Sequence, residues 1–192
     1  MYRKKEFFWN LITIRVKYLL FILVFACIIG TLFSSNIYAK ENNKDKLVKI
    51  NDLQNYTSLK KDCSDEEFRK AYDAARGIVE PLVGKSRINQ VRSIYEEIRK
   101  MVDSGQVNYS MEAPHYNDPY GYFVLGVGSC AGATRATGLC LNMLGIPYEH
   151  IHENQYCHQW ARVSVGGEYW IVDAYGLVLG EEPEPYKHPT KE

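Results

Sequence analysis

Three residues have the types and the settings to do covalent chemistry together. Cys130 follows Gly126-Val127-Gly128-Ser129 and heads a stretch, about Cys130 to Leu144, with helical character. The first turn of a helix holds N–H groups without intrahelical partners, and it is the positive end of the macrodipole. Both features stabilise a thiolate, so a Cys placed there becomes a better nucleophile near neutrality. The same N–H groups can hold the oxyanion that forms when a carbonyl is attacked. Gly126 and Gly128 are expected to let the backbone turn sharply and to leave room for substrate.

Such a nucleophile needs a base, and the base needs an orienting partner. His158 and Asp173 supply both if the chain between them folds back once. Gly166-Gly167 is a two-residue hairpin signal. With that turn, Val165 pairs with Glu168 and Trp160 lies opposite Asp173. His158, two residues further along, shares the face of Asp173 as a diagonal neighbour. Such neighbours sit about 7–8 Å apart at the backbone, within reach of a His–carboxylate hydrogen bond. A slip of one residue would put them on opposite faces. The other face gathers Ala161, Val163, Val165, Trp170, Val172 and Ala174, an apolar set suited to a core. Spacing alone does not bring the helix to the hairpin. A buried free Cys, a structural His and a surface Asp are each common as well.

The elements that must position these residues are readable upstream and downstream. Ser64 and Glu67 form a capping box ahead of Phe68, Ala71, Tyr72, Ala75, Ile78 and Val79 at helical spacing, with Pro81 and Gly84 as the stop. Ser86 opens a second helix whose stripe is Ile88, Val91, Ile94, Tyr95, Ile98 and Val102, closed by Gly105. From Val107 to Tyr122 a Tyr-rich loop either lines a cleft or packs over the core. The third helix, headed by Cys130, ends in Leu144-Gly145-Ile146-Pro147, the sequence of a Schellman stop. Strands are expected at Tyr148–Ile151, about Gln155–Val165, and Glu168–Ala174. Helices first and strands later make an α+β domain.

The stretch from Gly126 to Gly176 resembles the transglutaminase-like superfamily, distant relatives of the papain-type thiol enzymes. The resemblance rests on Gly128-Ser129-Cys130 at a helix start, Leu144-Gly145-Ile146-Pro147 at its end, His158-Gln159-Trp160 on one strand, and Tyr169-Trp170-Ile171-Val172-Asp173 on the next. It implies a papain-like core in which N-terminal helices and a nucleophile-bearing helix pack on a small antiparallel sheet. It also implies that Cys130 is the nucleophile, His158 the general base and acid, and Asp173 the residue that orients His158. The implied chemistry is acyl transfer from a peptide or glutamine amide through a Cys thioester, ending in hydrolysis or transfer to an amine. The backbone N–H of Cys130 is then one oxyanion donor, and Tyr109 or Tyr122 is a candidate for a side-chain donor. The competing reading is a catalytically silent module of this fold that binds envelope proteins or peptidoglycan.

The remaining composition bounds the setting. The 192 residues carry 23 basic and 23 acidic side chains, but residues 1–39 hold Arg3, Lys4, Lys5, Arg15 and Lys17 against Glu6 alone. The rest is therefore mildly acidic, which argues against a nucleic-acid partner. Tyr18 to Phe33 is uncharged and apolar, follows a basic segment and precedes Ile37-Tyr38-Ala39. Residues 1–39 read as a secretory signal cut after Ala39, as in a bacterial-type secreted protein, or else as an uncleaved membrane anchor. Either way the body is expected outside the cytoplasm, secreted or in the cell envelope, with a protein or peptide substrate. Residues 40–62 read as a flexible tether, 63–180 as the domain and 181–192 as an irregular tail. Cys130 and Cys140 lie ten residues apart on one helix, a rise of about 15 Å, and cannot pair. Cys63–Cys157 is a possible bridge, and Cys157 points away from the His158 face. His150, His152, His158 and Cys157 match no compact zinc spacing, so neither a metal nor another cofactor is expected.

Overall fold

The computed structural model describes residues 46–151 and 158–182. The chain divides into Met1–Asn43 and Lys44–Glu192, and every described residue belongs to the second unit. The expected signal segment, His152, Cys157 and most of the expected tail lie outside the described residues.

The architecture is α+β, with helices gathered around one buried helix and one face of a four-stranded antiparallel sheet. Helix α1 is Tyr56–Lys60, α2 is Asp65–Val79, α3 is Arg87–Asp103 and α4 is Cys130–Met143. Helix α2 begins as its sequence dictates. The Ser64 side chain accepts from the Glu67 N–H, and the Glu67 carboxylate accepts from the Ser64 N–H at 2.7 Å. Its buried stripe is Phe68, Ala71, Ala75 and Val79, and that of α3 is Val91, Ile94 and Ile98. Both stripes face α4, whose small residues (Ala131, Gly132, Ala133, Ala136, Gly138) admit neighbours closely on several sides. Helix α4 ends at the expected place. Gly145, at φ +68°, donates its N–H to Asn142, and the Ile146 N–H bonds the Leu141 carbonyl at 2.9 Å, completing a Schellman motif.

The main sheet is a meander in the order β3 (Glu149–Ile151), β4 (Trp160–Val165), β5 (Glu168–Asp173) and β6 (Val178–Glu181). The β4–β5 register is the expected one, with Val165 opposite Glu168 and Ala161 opposite Val172. Gly166 and Gly167 have φ of +66° and +101°, the left-handed pair that a tight hairpin turn requires. Ala161, Val163, Val172 and Ala174 are buried, whereas Val165 and Trp170 at the turn end are only half-buried. Ile171, on the Asp173 face, is buried as well.

Three expectations are corrected. The stretch 40–62 is not a featureless tether over its described part. It holds a 3-10 turn at Ile50–Asp52 and helix α1, buries Leu53 and Leu59, and bonds the Val48 N–H to the Met143 carbonyl at 2.8 Å. Strand β6 (Val178–Glu181) is a fourth strand where three were expected, and it takes in the first residue of the expected tail. The Tyr-rich stretch is not all loop. Asn108–Tyr109 (β1) pairs in parallel with Val127–Gly128 (β2), and Gly121–Leu125 forms a π-helical turn.

Because Leu59 is fully buried under α4, Leu59→Ala is expected to cost about 2–5 kcal/mol in urea unfolding. An unchanged denaturation midpoint would restore the tether reading.

Candidate active site

The burial of α4 fixes where its first residue emerges. Cys130 is the first helical residue, with Ser129 as N-cap in extended conformation, and it is only partly buried. Parallel pairing of β2 with β1 and the Ser129 N–H bond to the Tyr116 carbonyl, 2.8 Å, hold the approach to this turn. Gly126 turns the chain at φ +69° as expected. Gly128 has a different purpose from the expected one. A Cβ there would lie 2.8 Å from the Tyr122 ring, so the missing side chain makes room for the core, not for substrate.

The structure brings all three expected residues together. The Cys130 thiol lies beside the His158 side chain, close enough for each group to shift the pKa of the other. On the other side of the ring, His158 Nε2 lies 2.6 Å from Asp173 Oδ2. With Nε2 engaged by the carboxylate, Nδ1 is the nitrogen left to face sulfur. Asp173 is buried, and its Oδ1 accepts the Gly176 N–H at 2.7 Å. A Cβ on Gly176 would sit 2.2 Å from Asp173 Oδ2 and 3.1 Å from His158 Nε2, so only glycine fits behind this pair. Arg99 of α3 fastens the same corner from below, donating Nη1 to the carbonyls of Ala174 and Tyr175 at 3.3 and 3.4 Å while pairing with Asp103. The Trp160 ring stacks near His158, centroids 6.2 Å apart.

The electrostatics follow from these contacts. Burial raises the cost of a thiolate at Cys130. The bond to His158 and the backbone N–H groups of Gln159 and Ala131 outweigh it and hold the thiol below its ordinary value. Burial likewise opposes a charged imidazole, but the bonds to Asp173 and Cys130 win and push His158 up to about 9. The two shifts have opposite senses because each charged partner stabilises the other. Both shifts favour a thiolate facing an imidazolium.

Cys130 opens onto a cleft of about 450 Å3 whose walls include Tyr116, Asn117, Ser129, Ala131 and Gln159. The Tyr-rich segment therefore serves in both expected ways. Tyr116 lines the cleft, while Tyr122 is buried and donates its hydroxyl to the Ile98 carbonyl at 2.8 Å. That bond removes Tyr122 as an oxyanion donor. Tyr109 is half exposed and lies against Tyr175, ring centroids 5.2 Å apart. Tyr175 is raised by burial, with Tyr109 and Cys130 close by. Tyr175 and Gly176 escaped the sequence reading; their signal was position, immediately after the Asp that ends β5.

A second Cys, His and Asp grouping lies elsewhere. Ligand atoms of Cys63, His115 and Asp118 fall within 4.8 Å of one another. His115 Nδ1 is 2.7 Å from Asp118 Oδ2, and Asp118 Oδ1 accepts the Gly121 N–H at 2.9 Å. Sulfur, nitrogen and oxygen donors of this kind suit a zinc-type ion. As a nucleophile, however, Cys63 is the opposite of Cys130. Burial and the adjacent Asp118 push its thiol up to about 12. Cys63, Cys130 and Cys140 are free thiols, and Cys157, the other half of the possible bridge, lies outside the described residues. Cys140 is buried in the core, as expected.

No family profile matches the chain, and no curated protein matches it. Among solved structures, the crystal structure of a TGase is similar over 71% of this chain and 38% of that one, at 18% sequence identity and a TM-score of 0.49. The chain thus spans well under half the length of that structure.

In a ring-proton NMR titration, His158 is expected to have its midpoint near 9 in the unaltered protein. Asp173→Asn and Gly176→Ala should both move it down toward 6.5, the ordinary histidine value, because each removes the carboxylate from Nε2. A midpoint that stays near 9 in Gly176→Ala would mean that the glycine does not hold the pair.

Proposed function

We propose that this domain is a thiol acyl-transfer enzyme acting on peptide or glutamine amides, with Cys130 as nucleophile, His158 as general base and acid, and Asp173 as the orienting carboxylate. The observation that carries the reading is the His158 ring held by buried Asp173 and set beside the Cys130 thiol, with the sulfur at a helix start beside an open cleft.

In the acylation step the Cys130 thiolate attacks the amide carbonyl carbon and an S–C bond forms. The carbonyl oxygen takes the negative charge, and the N–H groups of the first turn of α4 are the donors at hand. Collapse breaks the C–N bond, and the amine leaves with the proton from His158. Water or a second amine then attacks the thioester carbonyl and gives its proton to the now neutral His158. The S–C bond breaks, and the thiolate–imidazolium pair returns. Asp173 keeps the ring aimed at sulfur throughout. Water gives hydrolysis, whereas an amine such as a lysine side chain gives a cross-link.

Selective alkylation tests the reading. Iodoacetamide is expected to modify Cys130 well ahead of Cys63 and Cys140, and His158→Ala should slow that reaction by about 10²-fold or more. In parallel, a glutamine-bearing peptide with a fluorescent primary amine should yield labelled peptide (transfer) or ammonia alone (hydrolysis), and Cys130→Ser should yield neither. Alkylation of Cys130 no faster than that of Cys63 would favour a silent binding module.

A further inference from the structure

Helix α4 touches the surface at two places. Of its fourteen residues, all but Cys130 and Arg135 are buried. Both of those residues line the same cleft. Arg135 is also the one charged residue of the helix. A guanidinium on an otherwise apolar, buried helix is costly unless something answers its charge. Its visible bonds do not. Arg135 donates Nε to the Ser58 carbonyl at 3.0 Å and Nη1 to the Asn117 carbonyl at 2.9 Å, both neutral acceptors. Among the described residues, no carboxylate comes within ion-pair distance of it. Asp118 and Asp62 act on it only through space, and burial disfavours its charge.

The rest of the cleft repeats the pattern. Lys61 stands on its wall as a second cation, and among the described lining residues none is acidic. Lys61 is held at φ 51° and ψ −117°, a conformation that L-residues rarely adopt and that the end of α1 imposes. Its ammonium reaches Asp62 only at 3.4 Å on the exposed rim, a weak surface pair. Among the described residues, a domain that is acidic on balance thus lines the cleft beside its reactive sulfur with Arg135 and Lys61 and with no carboxylate.

We propose that this cleft selects acyl donors carrying a carboxylate, with Arg135 as the principal recognition group and Lys61 as a second cation at the rim. The proposal rests on Cys130 being the nucleophile and adds the substrate class. Arg135 lies five residues beyond Cys130, about 7.5 Å along the helix axis. The carboxylate would therefore belong to a part of the donor a few bonds from the scissile carbonyl. An acidic residue next to the reacting glutamine, or the free α-carboxylate of a γ-linked amide, has that geometry. The planar guanidinium, with Nε and Nη1 already tied to carbonyls, is pre-oriented and loses little freedom on binding an anion.

Charge-matched alkylating agents separate this proposal from the reading beneath it. The two probes are N-iodoacetyl-glutamate and its neutral diamide, reacted with the full domain at low salt. Their rate ratio at Cys130 is referred to their ratio at free cysteine. The expected preference for the acidic probe is about three- to tenfold, falling as salt is added. Arg135→Gln should abolish most of it, Lys61→Gln should reduce it, and Arg135→Lys should keep most of it. The lysine variant guards against mistaking loss of the Ser58 and Asn117 clamp for loss of charge, and Lys61, at the rim, can be changed without touching the core. Two peptide donors then identify the source of the carboxylate, one with glutamate beside the glutamine and one a γ-glutamyl amide with a free α-carboxylate. Fast reaction of Cys130 with both probes and no charge preference would overturn the anionic-donor proposal and leave the thiol enzyme standing. If neither probe reacts faster than at Cys63, both fall together.

Discussion

The proposed chemistry depends on one contact, the meeting of the Cys130 thiol with the His158 ring. Each group alone would be unremarkable in charge, a protonated thiol and a largely neutral imidazole. Brought together, and with Asp173 behind the ring, each favours the charged form of the other. The thiol falls below its usual value and the imidazole rises to about 9. The two elements that meet are far apart in sequence and have different origins. One is a helix start; the other is a strand end. The rest of the fold keeps them in register.

That task explains why the core is built around α4. Burial of nearly the whole helix against α2, α3 and the sheet leaves it no freedom to slide or rotate, so the sulfur at its first residue has a fixed address. The hairpin is fixed in a different way. Two glycines at positive φ set the turn, the turn sets the register, and the register puts His158 and Asp173 on one face. The corner after β5 is then fastened twice, by the Gly176 N–H to the carboxylate and by Arg99 to the carbonyls of Ala174 and Tyr175. The second Cys-His-Asp grouping shows that residue type is not sufficient. Around Cys63 the same three side chains produce a deeply protonated thiol, because burial and a neighbouring carboxylate oppose the thiolate.

Much of this was legible in the sequence where a local rule has one outcome. The capping box at Ser64 and Glu67, the Schellman stop at Gly145-Ile146 and the Gly166-Gly167 turn each specify a backbone conformation within a few residues, and each is present. The parts that escaped depend on distant partners. Leu53 and Leu59 sit singly in a polar run, and only the distant residues of the core cluster make them buried. Strands β1 and β2 are two residues each, too short to carry an alternation. Gly128 was expected to leave room for substrate and Gly176 was given no role, yet what forbids a side chain there is Tyr122 in one case and the Asp173–His158 pair in the other. Arg135 did leave a signal, as the lone charge in an apolar helix, but its meaning required knowing which face opened on the cleft.

The most direct measurement of the central contact is the thiolate absorbance of the protein as a function of pH, taken as the difference between the unaltered chain and Cys130→Ala. A charged pair predicts that the Cys130 thiolate appears below the ordinary thiol value of 9.0, and that His158→Ala moves its appearance upward. A Cys130 that ionises at or above that value, with no response to the loss of His158, would contradict the account.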